Sequence, residues 1–281
     1  MINFNGNIII GAEVLTFNNR GYNYGDSLFE TIKILSGKPL FFEDHYFRLM
    51  ASMRILRMEI PMNFTIEFLE NEIIKTLNAN TLLNSSAKVK INIHRNEGGL
   101  YLPMTNDISY IISCQSLTED IYSISEESYE VDLFKDYYIS PSLLSTLKTN
   151  NKALNVVASI YAKENNLDNC LILNTNKNVV EALNGNIFIV KNNRIKTPPL
   201  IDGCLKGVMR KQVVEILQSI PEYSFEEASI SPFELQKADE LFLTNVIVGI
   251  QPISKYRKKE FTNDISKMLI QRLNVKIRLA N

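Results

Sequence analysis

Lys148 and Glu181 are the residues of this chain whose types and placement could do chemistry together. Lys148 stands in LSTLKTNNK, just ahead of a predicted helix from about Lys152 to Asn165. An apolar strand, Cys170 to Leu173, follows, and then NVVEALNGNIF, where Glu181 leads into an Asn-Gly-Asn turn. A lysine taken out of water loses its proton more readily, and the neutral amine attacks an aldehyde. A carboxylate at a fixed place keeps a ring nitrogen protonated and makes the ring a better electron acceptor. Taken alone, each residue reads as an ordinary solvated side chain. Lys152 is a second candidate amine, but it falls inside the predicted helix.

Other residues could serve an anion. Arg48 lies in DHYFRLMAS, and its forked guanidinium suits a doubly charged oxyanion. In LKGVMRKQVVEIL (205–217) a glycine precedes an amphipathic helix, so the backbone N–H groups of Val208 and Met209 point outward, as at a helix-terminal anion site. Arg210 reads as structural. The rest of the inventory excludes several classes. The histidines are His45 and His94, and neither a GxSxG elbow nor a GxGxxG or GxxxxGK[ST] loop occurs. Cys114, Cys170 and Cys204 are odd in number and far apart, which fits neither a disulfide framework nor a zinc site and points to a reducing cytoplasm. No metal site is expected. The net charge is −1, with no basic stripe, so nucleic acid is not an expected partner. No signal peptide or membrane span is read.

The elements that must hold these residues follow from periodicity. With 281 residues and 45% apolar content, the chain can bury one large core or two smaller ones. Strands are expected at Asn7–Ile10, Glu13–Phe17, Lys88–His94 and Ile108–Cys114, the third with Val89, Ile91 and Ile93 on its buried face. NNRGYNYGD (18–26) reads as turn-rich, Ser27–Leu35 as mixed, and Gly37-Lys38-Pro39 as a hairpin turn. Helical spacing covers Glu43 to about Met58 and Thr65–Leu77. After an acidic, aperiodic stretch, strands are expected at Tyr129–Leu133, Tyr137–Ile139, Ile187–Val190, Glu226–Ile230 and Leu241–Thr244. Further helices are expected at Lys206–Leu217, Pro232–Lys237 and Asp264–Asn274.

Several segments carry a resemblance. Leu147-Lys148-Thr149-Asn150-Asn151 fits [ILV]-K-x-x-N, and VVEALNGNIF fits V-x-E-x-x-x-x-N-[IVL]-F. His45, Arg48 and Leu49 fit H-x-x-R-L, and Gly207, Val208 and Arg210 fit G-[IV]-x-R. NRGYNYGDSLFETIK resembles D-R-[GA]-[FY]-x-[FY]-G-D-G-x-F-E-[TS], with Asn19 and Ser27 as departures. In this order the motifs resemble the class IV aminotransferases, the fold-type IV pyridoxal phosphate (PLP) enzymes. The resemblance implies an α+β, two-domain fold with the cofactor between the domains. The acidic, aperiodic stretch reads as a linker at 119–126 between an N-terminal α+β domain at residues 1–118 and an α/β domain at 127–281, and the resemblance assigns most of the PLP site to the latter. The resemblance makes Lys148 the Schiff-base lysine and Glu181 the partner of the pyridine nitrogen. It assigns Arg48, Val208 and Met209 to the phosphate, makes Leu183, Asn184, Gly185 and Val246 cofactor-binding, the first three as a turn that hydrogen-bonds cofactor oxygens, and assigns Phe29, Thr31, Tyr101 and Ile247 to the substrate. His45 is implied to be structural.

Within the family the motifs divide. HRNEGGLYLP (94–103) resembles the aminodeoxychorismate lyase loop S-R-G-x-G-G-R-G-Y through Arg95, Gly98, Gly99 and Tyr101. Leu100 stands roughly where that loop has the second arginine expected to hold a substrate carboxylate. LFLTNVIVGIQPI is also lyase-like, with Val246 where transaminases often have a hydroxyl residue. Ala153 stands where branched-chain transaminases place a tyrosine. The Arg-x-His trap of the D-amino acid transaminases does not occur. The resemblance thus implies an aminotransferase first and an aminodeoxychorismate lyase as the alternative. A non-catalytic binding protein fits poorly with Lys148, Glu181 and Arg48 all present. A cytoplasmic homodimer is implied, with Leu100 and Tyr101 reaching into the partner's site.

Overall fold

The computed structural model describes residues 1–10 and 14–280. They form two compact units, one comprising Met1–Asp120 with Lys148–Asn151, the other Ile121–Leu147 with the remainder from Lys152.

The first unit contains β1 (Ile2–Phe4), β2 (Asn7–Ile9), α1 (Arg20–Tyr24), β3 (Ser27–Leu35), β4 (Lys38–Pro39), α2 (Phe42–Ile55), α3 (Ile66–Ala79), β5 (Ala87–Arg95) and β6 (Ile108–Ser116). Among the described residues its antiparallel sheet runs β2-β1-β6-β5-β3-β4. Strand alternation sends Val89, Ile91 and Ile93 of β5 into the core, with Leu28, Ile32 and Ile34 of β3. Pairing of Phe29 with Asn92 and Thr31 with Lys90 puts those four on the opposite face. One further segment joins this sheet. Leu28 bridges Thr149, the Phe29 N–H donates to the Lys148 carbonyl at 2.9 Å, and the Asn150 N–H donates to the Ser27 carbonyl at 3.1 Å. Lys148–Asn150 is thus paired antiparallel, through one bridge, with the edge of β3 that β5 does not use.

The second unit contains β7 (Glu130–Ile139), α4 (Ala153–Glu164), β8 (Asn169–Asn174), β9 (Val179–Ala182), β10 (Asn186–Lys191), β11 (Arg194–Thr197), α5 (Val208–Gln218), β12 (Ser224–Glu227), α6 (Pro232–Lys237), β13 (Glu240–Asn245), β14 (Gly249–Ile253), β15 (Lys255–Tyr256), β16 (Lys259–Glu260) and α7 (Asp264–Ala280). Its sheet runs β12-β11-β10-β9-β8-β7-β15-β16, with β13 bridging β10 and β14. β7 and β8 are parallel, and α4 lies between them in the chain, as a parallel pair requires. The core includes Phe188 and Phe242, stacked with ring centroids 5.0 Å apart.

Several expected boundaries move. Glu13 lies outside the described residues, and Val14–Phe17 is irregular rather than a strand. Within the supposed turn at 18–26 a short helix forms, because Asn19 Oδ1 caps it by accepting the Tyr22 N–H at 3.0 Å. The two strands expected at Tyr129–Leu133 and Tyr137–Ile139 are one strand, Glu130–Ile139, with a register shift. The strand expected to reach Ile230 ends at Glu227, and the last helix runs on to Ala280. In the stretch read as a linker, Tyr122 is buried, its hydroxyl donates to the Val246 carbonyl at 2.6 Å, and Asn274 Nδ2 donates to its own carbonyl at 2.8 Å. Among the described residues no helix is long and apolar enough to cross a membrane.

Candidate active site

In the first unit, backbone pairing to β3 fixes Lys148. Its Nζ lies 4.3 Å from the centre of the Phe29 ring, and Lys90 Nζ lies 4.7 Å from the same ring. Ammonium groups on a ring face gain cation–π attraction. Burial lowers the pKa of Lys90, and the neighbouring Lys88 lowers it further. The structure therefore brings Lys148 and Phe29 together, with Thr31 opposite Lys90 on the same sheet face.

The other face of β3 carries a charged cluster. Glu30, 2% exposed, sits between Leu28 and Ile32 on the core side. Arg48 donates to it twice, from Nε at 2.7 Å and from Nη2. His45, one turn earlier on α2, contacts it through Nδ1 at 2.7 Å. Burial pushes the Glu30 carboxyl up, but the Arg48 charge and the His45 hydrogen bond together outweigh it and hold the pKa at about 2. Burial lowers the pKa of His45, and the charges of Arg48 and Lys148 act in the same direction against Glu30. A neutral imidazole with its proton on Nδ1 fits this arrangement. Its Nε2 is buried without a hydrogen-bond partner among the described residues. Sequence reasoning gave Glu30 no role. The signal was present, because an acid on the apolar face of a strand requires a cation, and H-x-x-R on one helix face offers it.

In the second unit, Glu181 lies on β9, and its Oε2 accepts the Leu205 N–H at 2.8 Å. The turn after it is pinned from below. Asn169 Oδ1 accepts the Leu183 N–H at 3.1 Å, Asn169 Nδ2 donates to Asn184 Oδ1 at 2.9 Å, and Asn155 Nδ2 donates to the Leu183 carbonyl at 2.8 Å. Gly185 is required here, since a Cβ would stand 2.9 Å from the Thr244 carbonyl oxygen. The polar groups of Leu183 and Asn184 thus serve the protein's own turn and hold Glu181 in place.

Asn186, just past that turn, ties the same region to α5. Its Nδ2 donates to the Leu205 carbonyl at 2.8 Å, and a Cβ on Gly207 would come within 2.0 Å of its Oδ1. Gly207 is the N-cap of α5, and among the described residues no side chain caps that end. The first N–H groups, at Val208 and Met209, are therefore donors of the kind that oxyanions use. Arg210 turns away, donating to the Pro198 carbonyl at 2.9 Å and to Glu227 at 2.6 Å. Val246 offers its carbonyl to Tyr122, and Asn245 Oδ1 accepts the N–H groups of Ile247 and Val248, both at 3.0 Å. Lys152 is the N-cap residue of α4, where burial lowers its pKa and the Glu181 charge opposes the fall.

The loop at 96–104 is held by Arg20. Arg20 Nη1 donates to the carbonyls of Gly98 at 3.1 Å and Leu100 at 2.7 Å. Arg95 is committed to Asp26, Asn106 and the carbonyls of Leu56 and Arg57. It is a structural tie. Gly99 adopts φ +76°, and a Cβ there would lie 2.1 Å from the Leu102 carbonyl oxygen. Tyr101 packs its ring on Tyr24, with centroids 5.8 Å apart.

Comparison with known proteins identifies the class. The chain belongs to the amino-transferase class IV family, whose model matches residues 27–256. It is 29% identical over 237 residues to an aminodeoxychorismate lyase of Vibrio harveyi, covering 84% of each chain. It is 30% identical over 251 residues to a Methanocaldococcus jannaschii protein provisionally named branched-chain-amino-acid aminotransferase, covering 86% of this chain and 82% of that one. The branched-chain amino acid aminotransferase of T.th., solved with pyridoxamine 5'-phosphate, has the same fold. Its TM-score is 0.84 at 21% identity, covering 96% of this chain and 91% of that one. The fold is that of the fold-type IV aminotransferases, and the family makes the chain an enzyme.

Proposed function

We propose that the chain is a PLP-dependent aminotransferase that moves an amino group between an amino acid, branched-chain-like or other, and a 2-oxo acid. The observation that carries this reading is Lys148, an amine fixed through its own backbone to β3 and laid on the Phe29 ring. When bound, PLP supplies an aldehyde for that amine and a ring that accepts electrons from the substrate α-carbon. The donor sets fit such a group. An uncapped helix start with Gly207 at its N-cap suits a phosphate, and a backbone-held carboxylate suits a protonated ring nitrogen. In the first unit Lys148 holds the cofactor and, once free of it, moves a proton at Nζ. Arg48 binds phosphate there. In the second unit Val208 and Met209 bind phosphate through their N–H groups, and Glu181 holds the ring-nitrogen proton. Leu183, Asn184, Gly185 and Val246 shape the cofactor's surroundings. Phe29, Thr31, Tyr101 and Ile247 bound the substrate.

A second reading, aminodeoxychorismate lyase, is favoured by the Vibrio harveyi relative and by the Gly98-Gly99 loop. Incubating the PLP-loaded protein with aminodeoxychorismate separates the two. Stoichiometric 4-aminobenzoate and pyruvate, lost on Lys148→Ala, would establish the lyase. Neither product, together with 2-oxo acid formation from an amino donor screen, would establish the aminotransferase. Survival of the visible band of the lysine-linked cofactor in Lys148→Ala would sink both. The reading includes a cytoplasmic homodimer. It is supported by Leu100, Tyr101, Leu102 and Met104, which are 76%, 90%, 84% and 81% exposed on a loop that Arg20 holds in shape.

A further inference from the structure

We infer that Glu30, braced by His45, is a positioning residue that sets the Arg48 guanidinium to receive a phosphate monoester. Part of the preference for the phosphorylated aldehyde cofactor over its unphosphorylated form would then depend on Glu30. The inference rests on the proposed reading that Arg48 meets the cofactor phosphate.

The geometry supports a directional role. A guanidinium on a flexible stem has many orientations, and ordering it on binding costs part of the affinity it gives. Here its Nε and Nη2 donate to the two oxygens of one carboxylate, which fixes the plane of the fork. The carboxylate itself is held by His45 Nδ1 at 2.7 Å, and the Arg48 carbonyl receives Ser52 Oγ at 2.7 Å. Glu30 and His45 are almost wholly buried, at 2% and 1%, so solvent does not compete for these bonds. One strand also sets the amine and the arginine in a common frame. Phe29 bonds to Lys148 through its backbone, and its neighbour Glu30 points the other way, to Arg48. A residue present merely to neutralise a buried arginine would need charge alone. The fork and the imidazole brace fix direction as well.

The test compares dissociation constants for PLP and for pyridoxal, which lacks the phosphate, on cofactor-stripped protein. In Glu30→Gln the preference for PLP is expected to fall about tenfold or more, with pyridoxal affinity within about twofold of the parent. Glu30→Asp keeps the charge but withdraws the fork by one methylene. It is expected to lose a similar preference, whereas simple neutralisation predicts full rescue. His45→Gln removes the Nδ1 donor and is the milder change, for use where the Glu30 variants do not fold; about a threefold loss of preference is expected. An unchanged preference in a folded variant, or equal weakening of both ligands, overturns the inference. Arg48→Met tests the parent reading separately. If it leaves the preference for PLP intact, Arg48 does not meet the phosphate and both ideas fall. If it abolishes the preference while the Glu30 and His45 variants keep it, the positioning role alone is wrong.

Discussion

Glu30 also links stability to acidity. Its carboxyl titrates at about 2 in the folded chain against an ordinary 4.5, so folding favours the ionised form. That contribution is fully present above about pH 4.5 and is lost as pH falls toward 2. The difference corresponds to about 3 kcal/mol as an order of magnitude. Urea unfolding at pH 7, 4 and 3 should show wild-type stability dropping across this window and a shallower drop for Glu30→Gln. Parallel slopes would mean that other carboxylates set the acid limit. The two candidate amines separate at this scale as well. Lys148→Ala is expected to remove the visible cofactor band and Lys152→Ala to retain it. The opposite pattern would transfer the role to the α4 N-cap.

At the scale of elements, what was readable was what local pattern determines. β5 announced itself through Val89, Ile91 and Ile93, and α2 to α6 through helical spacing. α1 was missed because a single side chain, Asn19, converts a turn-like string into a helix. β11, β14 and the two-residue strands were missed because short strands take their identity from partners distant in sequence. The same reason hid the pairing of Ser27 with Asn150, although Lys148 itself was legible from its motif. Glu30 was visible in the string and given no role, since its partners lie on another element. The start of α5 gives a prediction at this level. In Gly207→Ala the new Cβ would meet Asn186 Oδ1 at 2.0 Å, at a φ of −70° that alanine otherwise tolerates. Displacing Asn186 is expected to cost about 1–3 kcal/mol and to weaken PLP binding. A thermal melt and a PLP titration check both, and unchanged values would mean that the helix start has room to spare.

For the whole molecule, near-neutral charge and an exposed apolar loop both bear on the proposed homodimer. The net charge is −1 and the pI about 6.2, so repulsion between copies is weak near neutral pH. If the proposed homodimer forms through this loop, Leu100→Glu with Tyr101→Ser shifts sedimentation from dimer to monomer while each unit stays folded. A dimer that persists would locate the contact elsewhere. The pairing of Lys148–Asn150 with β3 has a different consequence, one of timing. When residues 1–120 have left the ribosome, the Ser27–Phe29 edge of their sheet still lacks its partner, which has not yet emerged. Closing Ser27 on Asn150 spans roughly 120 residues, for which loop closure costs about 4 kcal/mol beyond a constant. Under the proposed reading of Lys148, the amine can dock onto this sheet edge only after the intervening chain has been made, so its site is completed late in synthesis.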